Sequence, residues 1–221
     1  MPLSLDAIRL ISNELKSINW SQCELECSIG VLGPYGDFTP GVPFKHFSNA
    51  AYALNTCMTQ TWQSFEPVDL LTCYGEDNRR YRYQRGKETE CIMKRKLWTI
   101  DIECRGSPYD IRVSLAQEQK VDAVLLEQVS YYRLQKRWVY TDTHSWEYSL
   151  TKVSSGSSKD IACKTEPVYE MEVEAKILVT PKNLTSTCQD LIERTIDIMG
   201  RYDCYYKPLE IKYKVHHKKT H

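Results

Sequence analysis

Glu170-Met171-Glu172-Val173-Glu174 alternates acidic with apolar residues, and Glu24-Leu25-Glu26 repeats this alternation near the start of the chain. In an extended strand, residues two apart point to the same side, so each run places its carboxylates on one face and its aliphatic or sulfur side chains on the other. Carboxylates packed this closely repel each other unless water or a cation surrounds them. Because hard divalent cations prefer carboxylate oxygens as ligands, the two runs predict a metal site.

Basic residues are concentrated between the two acidic runs. The segment from residue 79 to residue 96 contains eight of them against two acidic residues; the eight are Arg79, Arg80, Arg82, Arg85, Lys87, Lys94, Arg95 and Lys96. The whole chain is neutral, with 29 basic and 29 acidic residues. A neutral total does not exclude a nucleic-acid partner, because local clusters set the field that an anion meets. The run alone is equally consistent with a solvated strand face.

Turn signals rich in Gly, Ser, Pro and Asn divide the middle of the chain into predicted strands. The strands span residues 22–31, 67–74, 78–85, 89–104, 109–120, 129–141, 144–154 and 167–179. Apolar residues at helical spacing predict helices at residues 4–18, 45–60 and 184–200.

Charge recurs at every second residue in several of these strands, where a half-buried sheet would keep one face apolar. Arg80 and Arg82, for example, share a face. About eight antiparallel strands can close into a barrel, and inward-pointing charges would then line one tunnel. We therefore predict an α+β fold, a closed antiparallel eight-stranded β-barrel with a few packing helices. It forms a single domain over residues 1–221, with a flexible basic tail at residues 214–221.

Composition favours a soluble protein of the cytosol or nucleus. No apolar stretch approaches the roughly 20 residues that span a bilayer. The first 20 residues lack a signal-peptide core because Asp6, Arg9 and Glu14 interrupt them. The nine cysteines are an odd number without a C-x-x-C pair and are expected to be reduced thiols. Secretion and a membrane partner are therefore not expected.

A tunnel with both signs of charge suits a triphosphate. Arginines and lysines from several strands can hold the phosphates, arginine often in a two-pronged fashion. Carboxylates can hold Mg²⁺ or Mn²⁺, which polarises a phosphoryl group. Phosphoryl transfer needs mainly positioning and charge stabilisation, so this arrangement is sufficient for catalysis.

The motifs resemble, in order along the chain, those of the tunnel family of metal-dependent RNA 5′-triphosphatases. These are the first enzymes of mRNA capping in fungi, protozoa and some large DNA viruses. Cys23–Gly30 and Tyr169–Glu174 look like the two glutamate motifs of the family. The matching segments between them are Phe38–Val42 with the later Phe47, Glu90–Lys96, Tyr109–Glu118, Arg133–Arg137 and Leu150–Val153.

The resemblance implies a role for each matched residue. Glu24, Glu26 and Glu174 are the expected direct ligands of Mg²⁺ or Mn²⁺. Glu170 and Glu172 would support the metal from outside the ligand set. The implied phosphate-binding residues are Lys94, Arg112, Arg133, Arg137, Lys152 and Arg82, with Arg80 as an alternative to Arg82. Glu118 would orient or deprotonate the attacking water, and the other implied catalytic residues are Arg112, Arg137 and Lys94. In a wet tunnel, these arginines are expected to contribute little to stability.

The chain departs from the family pattern in two places. Gln135 stands at the middle inward position of a strand where the family has a basic residue, and Lys136 is expected to face the other way. Glu147 and Ser149 stand where the family has a base followed by an acid. Either the alignment slips by one residue or the tunnel floor is rebuilt.

The function implied by the resemblance is hydrolysis of the γ-phosphate at the 5′-triphosphate end of nascent mRNA, which leaves a diphosphate end for cap formation. The alternatives are an inorganic tripolyphosphatase or nucleoside triphosphatase of the same fold, or a non-catalytic module that binds polyphosphate or RNA. Expected partners are triphosphate-ended RNA and mRNA guanylyltransferase, and a monomer is favoured over an oligomer. The expected location is the nucleus or a cytoplasmic site of viral replication. Because the motifs begin near residue 20, a stand-alone protozoan or viral type is favoured.

Overall fold

The computed structural model describes residues 19–56, 62–75, 79–104, 106–122, 129–142, 146–202 and 216–219. The helix predicted at residues 4–18 and the end of the one predicted at residues 45–60 lie outside this part of the chain.

In this described part of the chain, ten strands and three α-helices follow a short 3₁₀ turn at Trp20–Gln22. The strands are β1 Cys23–Leu32, β2 Phe38–Pro40, β3 Trp62–Gly75, β4 Arg79–Gln84, β5 Glu90–Ile102, β6 Asp110–Lys120, β7 Val129–Asp142, β8 Trp146–Gly156, β9 Val168–Ala175 and β10 His216–Lys219. The helices are α1 Phe44–Thr56, α2 Lys159–Lys164 and α3 Leu184–Tyr202. The eight predicted strands correspond to β1 and β3 to β9. The sequence did not predict β2, β10 or α2.

Eight of the strands close into one antiparallel barrel. Their order around the barrel is β1, β6, β5, β4, β3, β7, β8 and β9, and β9 pairs with β1 to complete the circle. The short strand β2 is added to β1 outside this circle. The predicted fold class is confirmed.

The hydrophobic core lies outside the barrel, between its wall and the helices. In β1 the apolar residues Leu25, Cys27 and Ile29 are buried on the outer face. They belong to one cluster with the apolar residues of α1 and α3, including Leu54 and Leu191. Because side chains alternate along a strand, burying the apolar set against the helices turns the acidic set into the tunnel.

A bulge in β5 changes which of its residues face the tunnel. Lys96 pairs with Ala116 of β6, but Trp98 pairs with Leu115, so Leu97 is an extra residue in the ladder. Trp98, Ile100 and Ile102 then join the outer core. The residues between them, Thr99 and Asp101, are consequently turned inward.

The tail differs from the flexible segment that the sequence predicts. His216–Lys219 forms β10 and pairs antiparallel with residues 98–101 of β5. On that side, β4 pairs only with residues 90–93 of β5, so the second half of β5 offers unpaired backbone groups to another strand. Residues 214, 215, 220 and 221 lie outside the described residues.

No helix in the described part of the chain has the length and apolarity needed to cross a bilayer. The described cysteines are free thiols.

Gly30 is expected to tolerate no side chain. A Cβ atom there would lie 2.2 Å from the carbonyl oxygen of Thr39 and 2.8 Å from Cζ of Phe38. Gly30→Ala should therefore lower the free energy of unfolding by about 2 kcal/mol, which urea denaturation measures. Gly200→Ala is the control, because a Cβ there meets nothing within 4 Å. In helix α3 it should raise stability by up to about 1 kcal/mol. Equal effects of the two substitutions would contradict the close packing of β2 on β1.

Candidate active site

Most side chains of opposite sign line different walls of the tunnel, and the Arg112–Asp101 pair of β6 and β5 is the exception among the described residues. The acidic wall is formed by the neighbouring strands β9, β1 and β6, and its inward carboxylates are Glu170, Glu172, Glu174, Glu24, Glu26 and Glu118. The basic wall is formed by β5, β4 and β7, and its inward cations are Lys94, Lys96, Arg80, Arg82, Arg133 and Arg137. The two walls together create a strong field across the tunnel.

Strand register crowds the carboxylates of the acidic wall. Glu26 of β1 lies directly opposite Glu174 of β9, and Glu147 of β8 lies opposite Glu174 on the other side. Like charges in directly opposed positions destabilise a sheet. A proton or a cation must therefore offset part of this charge.

The pKa values reflect this crowding. Burial and the neighbouring Glu24 raise the pKa of Glu174 to about 7. Burial also raises the pKa of Glu26, and Glu172 adds to that shift. Burial by itself would raise the pKa of Glu24, but the ammonium of Lys94 holds that pKa below its usual value.

Lys94 reaches across to the acidic wall and neutralises part of it. Its Nζ lies 2.5 Å from Glu24 Oε2, 3.1 Å from Glu26 Oε2 and 3.3 Å from Glu118 Oε1. These carboxylates raise the pKa of Lys94 against the opposing effect of burial. In this structure, Lys94 therefore forms ion pairs with carboxylates, whereas the sequence predicted that it binds a phosphate.

The acidic wall suits a divalent cation. Among the described residues, no three acidic, imidazole or thiol groups form a ready-made ligand set, and Lys94 Nζ lies between Glu24 and Glu26. Two observations nevertheless fit a hard cation. The carboxylates already attract a positive group, and Glu118 Oε1 is buried without a hydrogen bond. An oxygen-only donor set of this kind favours Mg²⁺ or Mn²⁺ over softer metals.

Two of the three arginines of β4, Arg80 and Arg82, face the tunnel. Tyr81, between them, is buried on the opposite face in a small cluster with Cys73 and Cys91. The nearest carboxylate to Arg82 is Glu118, at 4.0 Å. Arg80 lies over the ring of Tyr74, 5.5 Å from its centre, and forms no ion pair within the described part of the chain. Their guanidinium groups are thus the least neutralised in the tunnel, which makes them available to an anion.

Arg133 and Arg137, both on β7, are held by partners on β9 and on β8, respectively. Arg133 Nη2 donates to Glu170 Oε2 at 2.6 Å. Arg137 Nη2 donates to Glu147 Oε1 at 3.0 Å and to Ser149 Oγ at 2.7 Å. The ladder between β7 and β8 is regular over these residues. No bulge therefore reverses the faces of β7 and β8 at Arg137, and Glu147 and Ser149 accept hydrogen bonds from its guanidinium inside the tunnel.

The departure at Gln135 also lies in a regular part of its strand, β7. Gln135 faces the tunnel, where its Oε1 accepts a hydrogen bond of 2.7 Å from Thr72 Oγ1. Lys136 is exposed on the outer face, over the ring of Trp138. No cation replaces the missing base at this position of β7.

Lys152 was wrongly assigned to phosphate binding. It is exposed on the outer face of β8, directly opposite Lys136 of β7. Its neighbour Thr151 is buried on the tunnel face, in the same alternation as Ser149. A phosphate within the tunnel is therefore out of reach of Lys152.

Arg112 forms a buried ion pair that the sequence did not reveal. Its Nε and Nη2 donate to the two carboxylate oxygens of Asp101, at 2.5 and 2.8 Å, and Asp101 is 1 % exposed. The guanidinium also lies over the ring of Phe38. Sequence reasoning missed Asp101 because a regular strand continued from Lys94 would turn it outward. The expectation that Arg112 contributes little to stability is corrected.

A cavity marks one end of the tunnel. A cavity of about 740 Å³ opens beside Arg82, Arg137 and Glu147. At the other end, beyond Glu26, the inward residues Ser28, Thr99 and Ser114 are buried. A substrate can therefore reach Arg82 and Arg137 from this cavity.

Comparison with known families identifies the chain. Residues 75–194, which are 120 of the 221 residues, match the family model described as mRNA capping enzyme, beta chain. The chain belongs to this family. The resemblance inferred from the motifs is thereby confirmed, and so is the RNA 5′-triphosphatase function predicted from it.

Solved structures show the same fold. The RNA triphosphatase Pct1 of S. pombe is 18% identical, with a TM-score of 0.71 over 90% of this chain and 94% of that one. The mimivirus capping enzyme triphosphatase is 13% identical, with a TM-score of 0.56 over 88% of this chain and 96% of that one. Sequence comparison with curated proteins gives no match. The chain thus shares its fold with two proteins that are each less than 20% identical to it.

Arg112→Ala should destabilise the protein. It leaves the buried carboxylate of Asp101 without its partner, which should lower the free energy of unfolding by about 3 kcal/mol in urea denaturation. Arg82→Ala is the matched control, because its side chain is 30% exposed and its nearest carboxylate is 4.0 Å away. It should change stability by less than about 1 kcal/mol. The double variant Asp101→Asn/Arg112→Ala should recover part of the loss. Equal stability of the two single variants would show that Asp101 does not depend on Arg112.

The metal-free protein should lose stability as pH rises towards neutrality. The folded state holds a proton on Glu174 up to a pKa of about 7, whereas the ordinary value is 4.5. Between these values the folded state binds more protons than the unfolded state, so the free energy of unfolding falls with increasing pH. Urea denaturation in EDTA across this range measures the slope. Glu174→Gln should reduce the slope and the exposed Glu166→Gln should not. An unchanged slope in Glu174→Gln would contradict the shifted pKa.

Proposed function

We propose that this chain removes the γ-phosphate from the 5′-triphosphate end of nascent mRNA, with Mg²⁺ or Mn²⁺ as its cofactor. The product is a 5′-diphosphate end ready for cap formation. The observation that carries the proposal is the pair of opposed charged walls within one closed tunnel, in a chain of the capping beta-chain family. A module that only binds polyphosphate or RNA would gain nothing from inward carboxylates.

Glu24, Glu26 and Glu174 would hold the divalent cation. Their strands are neighbours, and the pairing of Glu26 with Glu174 brings β1 and β9 carboxylates together. When bound, the cation supplies charge neutralisation and polarisation of the phosphoryl group. Glu172 lies beside this set and accepts a hydrogen bond of 3.4 Å from Ser28 Oγ. Its part would be to fix the neighbouring strand from outside the ligand set.

The arginines divide into substrate ligands and supporting groups. Arg80 and Arg82 would bind the phosphates, because internal carboxylates neutralise them least. Arg137 would join them because it lines the cavity beside Arg82, with its orientation set by Glu147 and Ser149. Arg133 is bound to Glu170 and Arg112 to Asp101, so both keep less charge for a substrate. Phosphate affinity is therefore expected to depend most on Arg80, Arg82 and Arg137.

Glu118 would activate the attacking water. Burial and the nearby Glu24 raise the pKa of Glu118, which makes its carboxylate a stronger base than a free glutamate. Its Oε1 is buried, has no hydrogen bond and lies 4.0 Å from Arg82. The water oxygen would form a bond to the γ-phosphorus, the bond from that phosphorus to the bridging oxygen would break, and Glu118 would take the proton. Lys94, 3.3 Å from Glu118, would hold the base in place.

Partners and location are inferred from the family. One solved structure is the RNA triphosphatase domain of a trifunctional mimivirus mRNA capping enzyme, and Pct1 was solved in complex with the Spt5 CTD. We infer that this chain acts before an mRNA guanylyltransferase, which takes the diphosphate end. Its place of action would be the nucleus or a cytoplasmic site of viral replication, where nascent transcripts are available.

Phosphate release should require a divalent cation and the proposed ligands. The assay follows phosphate from γ-labelled triphosphate-ended RNA with Mg²⁺, with Mn²⁺ and with EDTA. Glu24→Ala, Glu26→Ala and Glu174→Ala should each lower turnover about a hundredfold, comparable to losing a main electrostatic stabiliser.

The exposed Glu166→Ala is the control for these variants and should keep full activity. Urea denaturation of each variant separates a loss of catalysis from a loss of fold. Wild-type activity in excess EDTA would show that the reaction needs no divalent cation. Wild-type rates in all three variants would show that Glu24, Glu26 and Glu174 are not its ligands.

A further inference from the structure

We propose that the open mouth of the tunnel binds the first nucleoside of the RNA, with its base against an apolar patch formed by Val68, Leu70 and Val139. This inference rests on the triphosphatase function proposed above. It adds the part of the substrate that the chain contacts beyond the phosphates.

The patch lies where a substrate must enter. Val68, Leu70 and Val139 line the cavity of about 740 Å³ together with Arg82 and Arg137. Val68 lies directly opposite Arg137 in the β3–β7 ladder. A group held by Arg82 and Arg137 therefore has the patch at its side.

The cavity is larger than phosphates alone require. Clefts of about 300–1,000 Å³ enclose drug-sized ligands, and this one falls within that range. Towards the opposite end of the tunnel, inward residues such as Thr99 and Ser114 are buried. If the triphosphate points inward from the mouth, the nucleoside attached to it must lie in this cavity.

The chemistry of the patch suits a base rather than a phosphate. The side chains of Val68, Leu70 and Val139 are only partly buried, so they present apolar surface to the cavity. Aliphatic side chains offer a phosphate neither a hydrogen bond nor a charge. Contact between apolar surface and the face of a nucleobase, in contrast, is favourable because it removes both from water. A register shift between Phe65 and Val68 of β3 lies at this rim, and such bulges are common at barrel rims beside active sites.

Recognition at this patch should tolerate any base. Three aliphatic side chains cannot form hydrogen bonds with the edge of a base, and every base has a face that can pack against them. The polar residues at the rim, Lys87, Thr89 and the exposed Lys120–Glu90 pair, lie on the β4–β5 turn and on β6. We expect purine and pyrimidine starts to be accepted with similar kcat/KM.

The experiment compares substrates with and without a nucleoside. Leu70→Ala and Val139→Ala are assayed on triphosphate-ended RNA, on ATP and on inorganic tripolyphosphate. Each variant should lose about tenfold in kcat/KM on RNA and ATP, mainly through KM, the loss expected when a hydrophobic contact is trimmed. Hydrolysis of tripolyphosphate should stay near the wild-type rate, which also shows that the variant is folded. Val31→Ala, an exposed valine of β1, is the matched control and should affect no substrate.

Other results overturn the inference in distinguishable ways. An equal loss on all three substrates would mean that the patch only supports the barrel, and no loss on any would place the nucleoside elsewhere. A wild-type protein that hydrolyses tripolyphosphate but neither RNA nor ATP would exclude a nucleoside site and make the chain a tripolyphosphatase. A wild-type protein that hydrolyses none of the three would overturn the proposed function, and the nucleoside site with it.

Discussion

Closure of the sheet is the constraint on which the rest of the molecule depends. In a closed barrel of eight strands, every second side chain points into one narrow interior space, where bulk water is limited. The apolar residues of β1 are buried outside, against α1 and α3, so the tunnel receives the polar set. Charges confined in this way must be balanced locally, because an uncompensated buried charge is costly. The ion pairs inside the tunnel are therefore a consequence of the topology.

That balance leaves some charges neutralised and others available. Arg112 is matched by Asp101 and Arg133 by Glu170, each with a distance below 3 Å. Arg82 has its nearest carboxylate only at 4.0 Å. The paired arginines stiffen the barrel, whereas Arg82 can accept an incoming anion without giving up a strong internal partner. Position in the tunnel, more than residue type, thus separates structural from substrate-binding arginines.

Sequence alternation predicted the strands and the inward carboxylates because period two is a direct consequence of strand geometry. It failed where the geometry is locally broken. The extra residue at Leu97 reverses which residues of β5 face the tunnel. Asp101 therefore points inward, which alternation along a regular strand does not predict. Motif order also placed Lys152 with the phosphate ligands, although alternation from Glu147 turns it outward. Pairing of the tail as β10 depends on an edge of β5 that exists only once the barrel has formed.

The departure from the family pattern at Glu147 makes sense as an exchange of charge. Glu147 replaces a base on β8 and draws the guanidinium of Arg137 towards itself, at 3.0 Å. The lost cation is supplied from the next strand, because Lys176 Nζ lies 3.4 Å from Glu147 and 2.7 Å from Glu174. Charges of alternating sign then run from Arg137 through Glu147 and Lys176 to Glu174. Each has an opposite neighbour, so the groups proposed to hold phosphate and metal are coupled through two strands, and a substitution at Glu147 must disturb both.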